Sequence, residues 1–225
     1  HELRTPLTSI RSFSEILLDN PDLGIEQRNQ FLDVVVKESE RLTRLINDIL
    51  DMSRIASGKM DWHLSTCDPR EIIDDALAAT SGLFREKQIA VEPELATQLP
   101  RVTVDRDRVI QVVINLLSNA AKFVQAGSGR VKVRLVAKGR DLTVSVEDNG
   151  PGIPPDQYDA VFERFRQLSG DKTTGKPKGS GLGLTICRQI IEHFGGRIWI
   201  EPAEPRGAVF RFTLPAAAPA PAGED

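Results

Sequence analysis

Apolar residues recur at alternating steps of four and three through the first fifty residues. Leu3, Leu7, Ile10 and Leu17 make one such seam, interrupted by Ser14, and predict an amphipathic helix over residues 1–19. Asn20-Pro21-Asp22-Leu23-Gly24 is turn chemistry and ends it. A second helix is predicted over 25–57, where Phe31, Val35, Leu42, Leu45, Ile49 and Met52 hold a heptad seam with Glu38 as its one charged member. Leu32, Val34 and Val36 widen its apolar face beyond what one partner helix covers. Two antiparallel helices cannot bury these surfaces alone, whereas two such hairpins paired as a four-helix bundle can, so the expectation is a symmetric homodimer. Packing of the hairpin on the rest of its own chain is the alternative, and the regularity of the seam argues against it.

Beyond residue 57 the period changes. Residues 58–68, with Trp62, His63 and Cys67, read as a linker; His63 near Cys67 has no second ligand pair, so no metal is assigned there. A helix opens at Pro69 and carries Ile72, Ile73, Ala76, Leu77 and Leu83. A short strand is expected at 89–91. A helix over 105–124 turns Val109, Val112, Val113, Leu116 and Leu117 inward. Alternating residues at 131–136 and 142–146 predict a hairpin, 181–194 a helix stopped by Gly195, and 197–200 and 209–214 closing strands. This mixture points to an antiparallel-rich sheet with helices on one face. The domain reading is a helical hairpin at 1–57, a linker at 58–68, an α/β domain at 69–215 and a disordered Ala/Pro-rich tail at 216–225.

Composition changes little in this picture. The 225 residues are 40% hydrophobic and 27% charged, an ordinary globular balance. Twenty-nine Lys and Arg against 32 Asp and Glu give a net charge of -3, which offers nothing for nucleic acid. Two cysteines, Cys67 and Cys187, make no disulfide framework and suit a reducing compartment, so the expected location is cytoplasmic. No run is long enough to span a membrane. The chain opens on a histidine in mid-helix, so a fragment of a longer protein is expected, and a membrane anchor elsewhere in the parent stays open.

The chemistry gathers in five places. His1 lies off the apolar seam on a face shared with Thr5, Thr8 and Ser12, beside Glu2, while Pro6 bends the helix next to it. Asn115, Asn119 and Lys122 share one face of a helix that ends in Phe123; amide oxygens suit Mg²⁺ and an ammonium suits phosphate. Asn is a poor residue in mid-helix, and two at this spacing ask for a reason. Asp148-Asn149-Gly150-Pro151-Gly152-Ile153 follows a strand directly, placing an acceptor where an exocyclic amine could donate and letting backbone approach a ligand. Phe162-Glu163-Arg164-Phe165-Arg166 pairs aromatics with arginines, ahead of a polar loop carrying Lys172, Lys176 and Lys178. Gly179-Ser180-Gly181-Leu182-Gly183-Leu184 then opens a helix, where unpaired amides and the dipole favour phosphate. It is neither a dinucleotide fingerprint nor a Walker A loop.

In this order the five clusters resemble the bacterial two-component sensor histidine kinases. Residues 1–10 resemble the H box, 115–123 the N box, 148–153 the first glycine box, 162–165 the F box and 179–184 the second glycine box; the resemblance runs from His1 to about Pro215. It implies a dimerisation and phosphotransfer hairpin followed by an α/β sandwich of the Bergerat type, shared with gyrase, chaperone and mismatch-repair ATPases. It implies ATP and Mg²⁺ as cofactors, autophosphorylation of His1, and transfer to an aspartate on a response-regulator receiver domain. Glu2 would hold the imidazole and take its proton, and Thr5 fits the pattern for dephosphorylating the regulator. Asn119, with Asn115, would ligate Mg²⁺; Lys122 would meet phosphate and Phe123 the adenine. Asp148 would read the adenine amine, with Gly150, Gly152 and Ile153 shaping its pocket. Arg164 or Arg166 would meet the γ-phosphate, and the amides of Gly179, Ser180, Gly181, Leu182, Gly183 and Leu184 would cap the phosphates. Relatives that hydrolyse ATP place a glutamate base where this chain has Asn115, which favours a kinase. A degenerate scaffold and a Bergerat-fold ATPase are the alternatives. This chain has Arg166-Gln167 where many relatives carry an aromatic and then an arginine.

Overall fold

A computed structural model describes residues 2–139, 141–166 and 180–217. They form two compact units, residues 1–60 and 61–225. The first is a hairpin of α1 (Arg4–Asp19) and α2 (Ile25–Ala56). On α2 the less exposed positions include 31, 35, 38, 42, 45, 49 and 52, so the heptad seam is the face turned inward. Phe13 and Phe31 join the two helices with ring centroids 5.3 Å apart. Yet only Pro6 and Leu45 are buried along these helices, while Leu7, Leu18, Leu32, Val36 and Leu50 stay exposed. One hairpin by itself leaves its apolar surface open.

The second unit packs three helices on one face of a five-stranded sheet: α3 (Pro69–Glu86), α4 (Arg106–Phe123) and α5 (Gly183–His193). The strands are β2 (Ala90–Leu95), β4 (Arg130–Lys138), β5 (Asp141–Asp148), β6 (Ile198–Pro202) and β7 (Ala208–Pro215), in the order β2-β4-β5-β7-β6. Only β2 and β4 run parallel; the other neighbours are antiparallel. Pro93 is tolerated because β2 is an edge strand. Rows of apolar residues cross the sheet: Val133, Val146, Phe210 and Ile200 form one, and Leu135, Val144, Phe212 and Ile198 the next. All eight are buried, at about 1.5–3 kcal/mol for each large side chain, so this face holds the unit together. The opposite face carries Arg134 between Glu94 and Glu147, and Arg211 on Glu201, half-exposed pairs that add little.

The stretch 58–68, expected as a linker, contains β1 (Leu64–Cys67), which pairs antiparallel with β3 (Val102–Asp105) in a separate two-stranded sheet. Neither strand alternates over enough residues to be seen in the sequence. Asp105 explains their position: one oxygen caps α4 through the Arg108 N–H (3.2 Å), and the other accepts from the His63 N–H (3.0 Å). Residues 216 and 217, expected in a disordered tail, are described, and the Ala217 N–H donates to the Arg101 carbonyl at 2.7 Å; residues 218–225 lie outside the described residues. No helix among the described residues is long and apolar enough to cross a membrane.

Candidate functional site

α4 owes its two faces to its sequence. Val109, Val112, Val113, Leu116, Leu117, Ala120 and Ala121 are buried, which leaves Asn115, Ser118, Asn119 and Lys122 half-buried on the other side. The Asn119 amide donates to Asn115 Oδ1 at 3.3 Å, so the two side chains lie together one helical turn apart. Lys122 Nζ sits 5.1 Å from the ring centroid of Phe123, which is 40% exposed.

Gly183 meets this polar strip directly. A Cβ at Gly183 would lie 2.8 Å from Asn115 Oδ1, so the glycine is what lets the start of α5 approach Asn115. α5 begins at Gly183, two residues later than expected, because Gly181 takes a left-handed φ of 69° that no helix continues. α3 and α4 are capped by Asp68 and Asp105, whereas α5 has no side-chain cap and no acid in its first turn. Ser180 Oγ accepts from the Leu182 N–H at 3.3 Å. An uncapped, glycine-opened helix start is suited to an anion. Gly179 lies outside the described residues, as do His1, Gln167, Lys172, Lys176 and Lys178.

The second cluster begins where β5 ends. Asp148 is buried at 6% exposure, and its Oδ1 accepts from the Gly150 N–H at 2.8 Å. Burial pushes its carboxyl above the usual carboxylate range, against the pull of the Gly150 and Ala208 amides. Asn149 fastens the loop: its Oδ1 accepts from the Arg130 N–H (2.8 Å) and its amide donates to the Ser128 carbonyl (3.1 Å). A Cβ on Gly150 would press on Asp148 Oδ1 at 2.7 Å and on the Phe123 carbonyl at 3.3 Å, so the loop closes on the end of α4. Arg206, unnoticed in the sequence, donates from Nε to the Gly150 carbonyl at 2.9 Å. Gly152 packs on Gly207, and Ile153 is half-buried beside it. Nothing in the pattern of the β6–β7 turn marks Arg206; only its meeting with Gly150 does.

The aromatic segment is two short 3₁₀ turns, Pro155–Gln157 and Ala160–Phe162, rather than a regular helix. Phe162 is buried, but Phe165 is 52% exposed with a φ of 60°. Arg164 and Arg166 are exposed on either side of it. The Phe165 N–H donates to the Gly181 carbonyl at 2.9 Å, so this segment returns to the start of α5. Three close contacts therefore chain the four clusters of this unit: Phe123 with Gly150, Asn115 with Gly183, and Phe165 with Gly181.

In the first unit, Thr5 is exposed on α1, and Glu2 lies 4.0 Å from Arg41, which also stands 3.6 Å from Glu38. Among the described residues no group of three or more His, Cys, Asp and Glu could hold a metal ion. A cation here would instead rely on the amide oxygens of Asn115 and Asn119 together with oxygens of a bound anion, and that hard donor set fits Mg²⁺.

Comparison with known proteins agrees with this layout. The family model described as "Histidine kinase-, DNA gyrase B-, and HSP90-like ATPase" matches residues 104–218. The one described as "His Kinase A (phospho-acceptor) domain" matches residues 1–58. The alginate biosynthesis sensor protein KinB of Pseudomonas aeruginosa is 34% identical over 216 residues, covering 96% of this chain and 35% of that protein. Full-length ShkA, solved in complex with AMPPNP, superposes with a TM-score of 0.74 at 30% identity, over 99% of this chain and 46% of that one. Histidine kinase ThkA, solved in complex with the response regulator protein TrrA, gives a TM-score of 0.75 at 28% identity, over 96% of this chain and 59% of that one. The chain spans about a third of the length of the first curated relatives it matches.

Proposed function

Because this chain belongs to the two-component sensor histidine kinases, carrying their phospho-acceptor and ATPase regions together, we propose that it binds ATP and phosphorylates His1. The phosphoryl group then passes to an aspartate on a response-regulator receiver domain. The observation that carries this reading is the Asn115–Asn119 pair set against the glycine-opened start of α5, with an amide where hydrolysing relatives place a base. An asparagine cannot deprotonate water, so the γ-phosphoryl is left for a better nucleophile.

A neutral imidazole nitrogen of His1 attacks the γ-phosphorus. The bond from that phosphorus to the β,γ-bridging oxygen breaks, ADP leaves with its electrons, and Glu2 takes the proton from the other ring nitrogen. Asp148 accepts from the adenine amine, Phe123 stacks on the base, and Gly150, Gly152 and Ile153 shape its pocket. Lys122 meets phosphate, Arg164 or Arg166 the γ-phosphate, and the amides from Gly179 to Leu184 the phosphate chain. Mg²⁺, held by Asn119 with Asn115, would neutralise phosphate charge. Catalysis rests on positioning and charge rather than on covalent chemistry by the nucleotide unit. The open apolar face of the hairpin supports a homodimer that builds the four-helix bundle, and Thr5 supports a phosphatase activity toward the regulator.

γ-Phosphate-labelled ATP tests the reading. The expected label is acid-labile and alkali-stable, is recovered on the tryptic peptide that carries His1 and ends at Arg4, and chases onto a receiver domain. Acid-stable label, label on another peptide, or ATP binding with no label would each sink it.

The contact of Arg206 with the Gly150 carbonyl supports a smaller effect. Arg206→Ala is expected to weaken ATP about three- to tenfold, the worth of one such hydrogen bond, with little change in melting temperature. Isothermal titration alongside a thermal melt checks it.

A further inference from the structure

Thr185 lies in the first turn of α5, one residue past the second glycine box, and its side chain is buried. Its hydroxyl donates to the Phe162 carbonyl at 2.9 Å, across 23 positions of sequence. The same segment is held at two further points. The Arg188 guanidinium lies 4.6 Å from the centroid of the Phe162 ring. Phe165 donates to Gly181, where a Cβ would come within 2.8 Å of the Phe165 carbonyl carbon. Phe165 keeps a left-handed φ of 60°, which a bulky residue avoids unless its surroundings impose it. Phe165 is therefore held in a conformation it would not choose alone, between Arg164 and Arg166, and the Thr185 bond is the buried member of the set holding this segment.

We propose that Thr185 is a positioning residue that locks the arginine-bearing segment onto the phosphate-facing start of α5. The role rests on the ATP reading above and extends it. The adenine side, built on Asp148 and its loop, does not depend on this bond, whereas the γ-phosphate side does. A valine at 185 keeps the shape and removes the donor, leaving a buried carbonyl without it.

The test compares wild type, Thr185→Val and Thr185→Ser for binding of ADP and of a non-hydrolysable ATP analogue, and for phosphorylation at saturating ATP. Thr185→Val is expected to hold ADP within about twofold while analogue affinity and saturating rate fall about five- to tenfold. Thr185→Ser, which keeps the hydroxyl, restores both. Parallel loss of ADP and analogue, or a serine variant no better than valine, would overturn the proposal. If Thr185→Val does not fold, Thr185→Ala carries the same comparison. Wild-type protein that binds neither nucleotide would overturn the ATP reading itself and this role with it.

Discussion

Asp148→Asn should abolish ATP binding, weakening it by about 100-fold or more, and yet leave the unliganded fold at least as stable as before. Both halves come from the same burial. Asp148 is 6% exposed, its Oδ1 accepts from the Gly150 N–H, and the Ala208 amide also bears on the carboxylate. On the proposed reading the remaining acceptor meets the adenine amine. Asparagine can keep the first bond, but it then presents its own NH₂ to the adenine NH₂. Two donors face each other in a dry site, so a bond is lost and two groups are left unpaired. The stability half follows from the raised carboxyl pKa, whose first cause is desolvation. A carboxyl raised in the folded state contributes stability that is full below the unfolded value, about 3.9, and is lost as pH rises through the folded value. Near neutral pH the ionised group is a cost that asparagine does not carry. The melting temperature of Asp148→Asn minus that of wild type should therefore grow as pH rises from about 4 upward and level off above the folded pKa. Calorimetric titration with ATP and melts across that pH range measure both halves. A variant that binds ATP as wild type does would remove Asp148 from the site, and a difference that shrinks with pH would reverse the assigned cause.

The sequence discloses the two kinds of element in this chain unevenly. The seam through Phe31, Val35, Leu42, Leu45, Ile49 and Met52 is legible because a heptad repeats often enough to outweigh any single residue. The four clusters of the second unit are legible because each places polar or glycine residues where a plain helix or strand has no use for them. β1 and β3 are hidden because four residues carry too little alternation, and what fixes them is a long-range bond, His63 to Asp105, with no local signature. The start of α5 is misplaced by two residues because a glycine can either enter a helix or stand outside it, and the choice at Gly181 is made by the backbone of Phe165. Arg206 and Thr185 are missed for the same reason: each acts on a carbonyl in another segment, and a carbonyl has no letter in the sequence.

Gly207→Ala should cost the second unit about 3–5 kcal/mol and lower its melting temperature by roughly 10 °C or more. A Cβ at Gly207 would fall inside the van der Waals envelope of the Asp148 carbonyl oxygen, 2.8 Å from its carbonyl carbon and 3.1 Å from the Asn149 Cα. These are backbone atoms at the end of the β5–β7 ladder, where Asp148 pairs with Ala208, so no rotamer change relieves the collision. A φ of 126° adds a conformation that only glycine adopts readily. Gly139 separates the two causes. Its φ of 65° is also left-handed, but nothing lies within 4 Å of its Cβ position, so Gly139→Ala should cost only the backbone preference, about 1–2 kcal/mol. Because the collision at 207 pushes on Asp148, the residue proposed to read adenine, the folded fraction of Gly207→Ala should also bind ATP more weakly, whereas Gly139→Ala should bind as wild type. Paired melts and ATP titrations of the two variants decide the matter: equal losses at 207 and 139 would mean that glycine's backbone freedom, and not the close approach to Asp148, is what this turn requires.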